Sequence, residues 1–370
     1  ECCIDAANLL AQVAVDAGAP DGVIQIIKDP NIPLIEEFMK SPKTAVILAT
    51  GGTPMVRSAY SSSNPAIGVG PGNAPVYVDS SADIAKAANR IIESKSFDNS
   101  VLCTNESVLI TLPEVDKQLR QSLKKYGAYF CNDDDTSRLR RYLFHGAGFN
   151  IETIGRDATW IAKECGIRVP EKTAILVAPI DQIGIEEPLS REKLCPVLAY
   201  HVAKNRDQAI MQARAVLRLT GAGHSAAVHA TDETVTMAFA RALEVYRIVV
   251  NAPCSQGAAG FGTALAPTFT IGTGFFGRSS IGENIGPEHL VHWTKLAYNE
   301  DTSEKFGDYF GVGNNFSGPL PSAPEDGVPG AGHYHFAPPT VSMNADPLSS
   351  ITRTELRQMI AEELRGALRG

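Results

Sequence analysis

No stretch of this 370-residue chain approaches the roughly 18 uninterrupted apolar residues of a membrane-spanning helix, so no membrane span is expected. Blocks of Lys or Arg are missing as well. The 33 Lys+Arg stand against 41 Asp+Glu, a formal net charge of −8, which argues against nucleic acid or an anionic membrane as partner. The seven cysteines are odd in number and irregularly spaced, with no C-x-x-C pair. Neither a disulfide framework nor a zinc site is indicated, and reduced, cytosolic thiols fit best. The histidines lack metal-ligand spacing, so no metal is expected. There is no internal repeat. The chain opens Glu1-Cys2-Cys3, without Met and already in a helical rhythm, and is expected to be a fragment. What it has is 44% hydrophobic residues, enough to exclude wholesale disorder and to fill roughly two to three domains.

From residue 1 to about 95, short apolar runs alternate with helical patterns, the signature of α/β layering. Ile4, Leu9, Leu10, Val13 and Ala17 mark one helical face, stopped at Gly18-Ala19-Pro20. Strands are expected over Val23–Ile27 and Thr44–Ala49, with a helix over Ile32–Met39. From about 96 to 290, strand-like runs at Ser107–Thr111, Ala174–Ala178, Val197–Val202, Ala226–His229 and Arg247–Asn251 alternate with helices such as Glu114–Lys125 and Asp207–Leu219. Residues 311–345 then hold 12 Gly or Pro in 35, a linker composition. After them Ile351, Leu356, Met359, Ile360, Leu364 and Leu368 fall on one helical stripe, with Thr352 and Glu355 spaced as a capping box. Acidic and basic residues balance on that helix, unlike a membrane-surface helix. It reads as a docking helix on a tether, or as a helix folded back onto its own body.

Four places could carry chemistry. Val46 to Thr50 reads as a buried strand ending at Gly51-Gly52, with Pro54 in the first turn of a helix. Such a start suits a phosphate, although an ordinary strand-to-helix turn has the same pattern. Ile67-Gly68-Val69-Gly70-Pro71-Gly72-Asn73 imitates a dinucleotide fingerprint, but it feeds another strand, Pro75–Val78, and does not open a helix. Its glycines still allow close backbone approach to a ligand. Cys103 lies in a polar, Asn-rich setting that suits a nucleophile, though composition alone does not choose among seven cysteines. His224 sits in the turn Thr220-Gly221-Ala222-Gly223-His224-Ser225 and is a candidate acid, base or ligand contact, or a solvated loop residue.

The order of these motifs resembles the CoA-acylating aldehyde dehydrogenases, including those fused to alcohol dehydrogenases and those of bacterial microcompartments. The resemblance runs from residue 1 to about 298 through Leu48–Gly52, Ala66–Asn73, Ser96–Cys103, Glu192-Lys193-Leu194-Cys195-Pro196, Gly223-His224-Ser225 and Asn251–Gly257. It implies an aldehyde dehydrogenase-like α/β fold with cofactor and catalytic domains, lacking its N-terminal part. The expected division is 1–95, the remainder of the NAD-binding domain; 96–298, the catalytic domain with a return to the cofactor and oligomerisation region; 299–345, linker; and 346–370, an amphipathic helix like an encapsulation peptide.

The resemblance also implies roles. Cys103 matches the nucleophile that attacks the aldehyde, gives up hydride to NAD and passes the acyl group to coenzyme A. Thr50, Gly51 and Gly52 match the cofactor-binding turn, with Gly68, Val69 and Gly70 beside it. Glu192 and Leu194 fall where relatives hold the nicotinamide ribose and ring. His224 matches a His of the acylating branch, near the thioester or incoming thiol. Hydrolytic relatives carry a Glu in the stretch matching Ile67–Gly70, whereas this sequence has no carboxylate there, which favours a thiol over water as acyl acceptor. An Asn that helps form the oxyanion hole in the family has no match here; loss of such a donor typically costs on the order of 100- to 1,000-fold.

The expected partners are a short aliphatic aldehyde (propanal before acetaldehyde), coenzyme A, further copies of the chain in a dimer or tetramer, and a shell protein bound through 346–370. The expected place is the cytoplasm, inside a bacterial microcompartment. Alternatives are the same chemistry in the acyl-CoA-reducing direction, or an impaired structural relative acting through its tail.

Overall fold

The computed structural model describes residues 2–146, 148–291 and 293–297. The linker expected over 299–345 and the helix expected over 346–370 lie outside the described residues.

Two helices come first, α1 (Cys2–Asp16) and α2 (Ile32–Lys40). The Asn31 side chain caps α2 by accepting from the Leu34 amide. Strands β1 (Ile47–Thr50) and β2 (Ala66–Val69) then pair in parallel around the crossover helix α3 (Thr53–Tyr60), with Ile47 opposite Ala66 and Thr50 opposite Val69. Met39, Ile47, Ala49 and Ala59 form the small core of this part.

The large sheet takes β3 (Ala74–Val78), β4 (Glu106–Thr111) and β5 (Ala128–Phe130). A short antiparallel pair follows, β6 (Phe144–His145) with β7 (Gly148–Phe149). The sheet is then completed by β8 (Ile175–Pro179), β9 (Val197–Val202), β10 (Gly223–His229) and β11 (Val245–Val250). Its order is β11-β10-β3-β4-β9-β8-β5 and every pair is parallel. Connecting helices include α4 (Ile84–Ser96), α5 (Pro113–Lys125), α6 (Asp133–Leu143), α7 (Ala158–Glu164), α8 (Arg206–Leu219), α9 (Glu233–Ala242) and α10 (Cys254–Ala258). Parallel strands with crossovers are covered on both faces, and β3, β4 and β10 are buried at every residue.

The change of sheet falls between Val69 and Ala74, earlier than the boundary expected near residue 95. Gly70-Pro71-Gly72 carries the chain from β2 into β3, which inserts between β10 and β4. Helix α4 goes with it: Ile84, Ala88 and Ile91 share one core with Val108 and Leu109. Val23–Ile27 is not a strand. Val23 is exposed, Gly22 turns the chain at φ 79, and no ladder partner is present among the described residues. Strand formation depends on such pairing more than on residue preference. On α1, Leu9, Leu10 and Val13 stand exposed, and none of its residues is buried.

Because the seven strands run the same way, the segments leading into them gather at one edge. The candidate residues come from those segments.

Candidate active site

Cys103 stands three residues before β4. The chain reaches it through three successive left-handed residues, Asp98 (φ 48), Asn99 (φ 47) and Ser100 (φ 63). Asp and Asn tolerate this conformation better than most residues, but it remains costly for a residue with a Cβ. Side-chain bonds hold the turn: Asn99 Nδ2 donates to Gly155 O at 3.0 Å and Asn105 Nδ2 to Ser94 O at 2.6 Å. Thr104 Oγ1 donates to Ser255 O at 3.0 Å, so the Asn251–Gly257 motif supports the Cys103 loop from α10.

The glycine run stands against this loop. A Cβ on Gly72 would lie 2.0 Å from the Cys103 carbonyl oxygen, so only glycine fits. The Gly72 amide donates to Glu192 Oε1 at 3.1 Å, which places the Glu192 carboxylate beside Cys103. Burial, and next the Glu192 charge, push the half-buried Cys103 thiol up to about 12. Burial also raises the Glu192 carboxyl to about 7. Lys193 anchors the turn that carries Glu192: its Nζ donates to the carbonyls of Ser107, Leu189 and Arg191, and burial lowers its ammonium to about 7. Leu194 O accepts from Gly155 N at 3.2 Å, tying Leu194 to the same residue that holds Asn99.

Replacing Glu192 by Gln removes the negative charge nearest the thiol, and the thiolate gains. E192Q is therefore expected to raise the iodoacetamide alkylation rate of Cys103 at pH 8 severalfold, up to about tenfold per pKa unit recovered. Peptide mass analysis over pH 7–10 checks it; an unchanged rate removes Glu192 as the source of the thiol's high pKa.

Gly68 has no room for a side chain. A Cβ there would lie 2.5 Å from Val56 Cγ1 and 2.8 Å from Tyr60 Cε2. Tyr60 is fixed in place because its hydroxyl accepts from the Gly68 and Ser280 amides, each at 2.9 Å. The Ser279 hydroxyl closes the cluster on Gly68 O.

Thr50, Gly51 and Gly52 lie beside β2, with Thr50 opposite Val69 and the Gly51 amide donating to Val69 O at 3.2 Å. Helix α3 starts at Gly52 without a side-chain cap, and Gly52 and Thr53 are exposed. Its first-turn amides are free for an anion, and a Cβ on Gly51 or Gly52 would meet nothing closer than 3.6 Å. This turn reaches Cys103 through the run Val69–Gly72.

His224 is the second residue of β10 and is fully buried, which excludes a solvated loop residue. Its Nδ1 lies 2.8 Å from Ser225 Oγ, while Nε2 has no partner. Burial, and then the Arg247 charge, lower it to about 3, so the ring is neutral at working pH. Gly223 allows the close approach behind it: φ is 81, and a Cβ would lie 1.9 Å from Thr273 O.

Sequence reading missed Arg247, Gly72 and Tyr60. Arg247 carried a signal, as the lone charge in the apolar run Val245–Val250. Among the described residues, no group of three His, Cys, Asp or Glu could hold a metal ion, and no helix is long and apolar enough to cross a membrane.

The model of the aldehyde dehydrogenase family matches residues 5–136. The aldehyde-alcohol dehydrogenase of Streptococcus pneumoniae serotype 4 is 39% identical over 301 residues, covering 79% of this chain and 34% of that protein. The chain thus spans about a third of that relative's length. The crystal structure of an acetylating aldehyde dehydrogenase from Geobacillus thermoglucosidasius superimposes with a TM-score of 0.76 at 36% identity, over 81% of this chain and 68% of that one. A Rhodopseudomonas palustris propionaldehyde dehydrogenase, solved with bound CoA and an acylated cysteine, gives 0.67 at 30% identity, over 73% of this chain and 62% of that one. The chain belongs to the aldehyde dehydrogenase family.

Proposed function

We propose that this chain carries the catalytic part of an NAD-dependent, CoA-acylating aldehyde dehydrogenase for a short aliphatic aldehyde, with propanal ranked before acetaldehyde. The observation that carries the reading is the surround of Cys103: a cysteine at the sheet edge, a glycine-only contact at Gly72, and no space for a carboxylate at Gly68.

The residues fit the cofactor. The uncapped start of α3 at Gly52 suits its phosphates, and Gly68–Gly70 and Leu194 offer backbone and apolar contact nearby. The Glu192 carboxylate, bonded to the protein through Oε1 alone among the described residues, suits a ribose hydroxyl. Bound NAD would supply a hydride acceptor. Cys103 adds as thiolate to the aldehyde carbonyl to form a thiohemiacetal, with its own backbone amide as one donor to the oxyanion. Loss of hydride leaves a thioester on Cys103. The thiol of coenzyme A then takes the acyl group and the Cys103 thiolate is released.

His224 is too weak a base to take a proton from a thiol, because burial and Arg247 keep it neutral down to about pH 3. Its free Nε2 acts instead as a hydrogen-bonding contact for the thioester or incoming thiol. Glu192 supports a competing outcome. A carboxyl near 7 beside the thioester suits a base for water. Against that, Glu192 is held on the Gly72 amide, and a thiol needs less activation than water.

NADH formation across an aldehyde series, with and without coenzyme A, tests the reading. Turnover that requires coenzyme A and yields acyl-CoA supports it; equal turnover to free acid without coenzyme A overturns it. The same assay with acyl-CoA and NADH reads the reducing direction. Beyond the body, the Gly/Pro content of 311–345 and the apolar stripe from Ile351 to Leu368 support a tethered docking helix, for which a microcompartment shell protein is the proposed partner. Assembly into a dimer or tetramer belongs to the same proposal.

A further inference from the structure

Arg247 is a buried cation without an anion. It lies in β11 among Val245, Ile248 and Val249, and only 3% of it is exposed. Four neutral oxygens hold its guanidinium. Nε donates to Asn284 Oδ1 at 2.6 Å, Nη1 to His224 O at 2.8 Å, and Nη2 to Gly272 O at 2.6 Å and Gly282 O at 2.5 Å. Arg140 and Arg206, by contrast, are paired with the carboxylates of Glu187 and Asp79. No carboxylate stands within ion-pair distance of Arg247 among the described residues.

An uncompensated buried charge is expensive, and loops can be tied together by neutral groups at lower cost. The charge therefore asks for an anion that forms during the reaction. Two charged groups bear on the Cys103 sulfur, Glu192 ahead of β9 and Arg247 from β11. On His224 only Arg247 bears. Burial lowers the guanidinium to about 10, and Cys103 is the group that acts in the other direction.

We propose that Arg247 is a positioning residue of this site: a fixed positive charge behind His224 that serves as counter-charge to the anionic sulfur of Cys103 and keeps the adjacent imidazole uncharged. The inference rests on Cys103 as the reactive residue, but its test needs neither aldehyde, NAD nor coenzyme A. It stands or falls apart from the NADH assay.

The measurement is the pH–rate profile of Cys103 alkylation by iodoacetamide in the full chain, read by peptide mass. R247M should move the profile to higher pH and slow alkylation at pH 9 about tenfold, the effect of one pKa unit. N284A removes an acceptor from the guanidinium but keeps its charge; it should lower the melting temperature and leave the profile within about twofold. If R247M does not fold, R247K carries the test. Lysine keeps the charge but cannot reproduce the four-oxygen set, so its profile should stay near that of the unaltered chain while stability falls. A folded R247M with an unaltered profile overturns the proposal. So does R247K or N284A with a profile moved to higher pH by a unit.

Discussion

Replacing Cys103 by Ala should reduce CoA-dependent NADH formation to background, a loss on the order of 10,000-fold or more, as for removal of other covalent nucleophiles. No other cysteine is placed to substitute. Cys2 and Cys3 are exposed on α1, and Cys131, Cys195 and Cys254 are buried in the large-sheet part of the fold. Cys195 is only three residues from Glu192, but it is fully buried and its thiol is pushed up by desolvation. Ala at 103 leaves the loop's supports intact, because those bonds come from Asn99, Thr104 and Asn105. The melting temperature should therefore hold within a few degrees. Binding of NAD, followed by quenching of protein fluorescence, should survive as well, since Thr50–Gly52 and Glu192 are untouched. C103S keeps a nucleophile with a far higher pKa and should fall nearly as far. Turnover above one per cent in C103A would remove Cys103 from the mechanism.

Much of the large sheet was readable because its strands are buried on both faces. The apolar runs at 107–111, 175–178 and 197–202 are short and bounded by turns, and each appears as a strand within a residue or two. The same rule failed at Val23–Ile27, where an equally apolar run has nothing to pair with. Sheet membership was not readable either. That β3 enters between β10 and β4, leaving β1 and β2 as a separate pair, is decided by contacts between residues some 150 apart, such as Val76 beside Ala227.

At the site, residue types were legible and environments were not. Cys103 and Glu192 came from motif order, and the model brings them together across Gly72. His224 looked like a loop histidine in a Gly-rich turn. It is instead the buried start of β10, and the glycines around it permit backbone approach that no side chain would survive. Arg247 was visible as a charge in an apolar strand, yet its four oxygen partners come from three other segments, which no local pattern reveals.

Gly72→Ala should be the most damaging substitution at the site that removes no functional group. The methyl carbon would stand 2.0 Å from the Cys103 carbonyl oxygen, 2.9 Å from its carbonyl carbon and 3.1 Å from Glu192 Oε1. The first two atoms are backbone and have no rotamer by which to retreat, so the loop carrying Cys103 must move by about an ångström. A shift of that size at a reacting atom costs on the order of 100-fold in rate. It would also strain the Gly72 amide's bond to Glu192. Overpacking of this kind costs about 1–3 kcal/mol of stability, which a folded chain can survive. The expected pattern is thus a hundredfold fall in kcat with a smaller change in the KM for aldehyde, and a lower melting temperature. Gly51→Ala is the matched control. Its Cβ would meet only the Met55 side chain, at 3.6 Å, so kcat should stay within a fewfold. If Gly72→Ala keeps kcat within a fewfold as well, the tight approach of the glycine run to Cys103 has no part in holding the nucleophile.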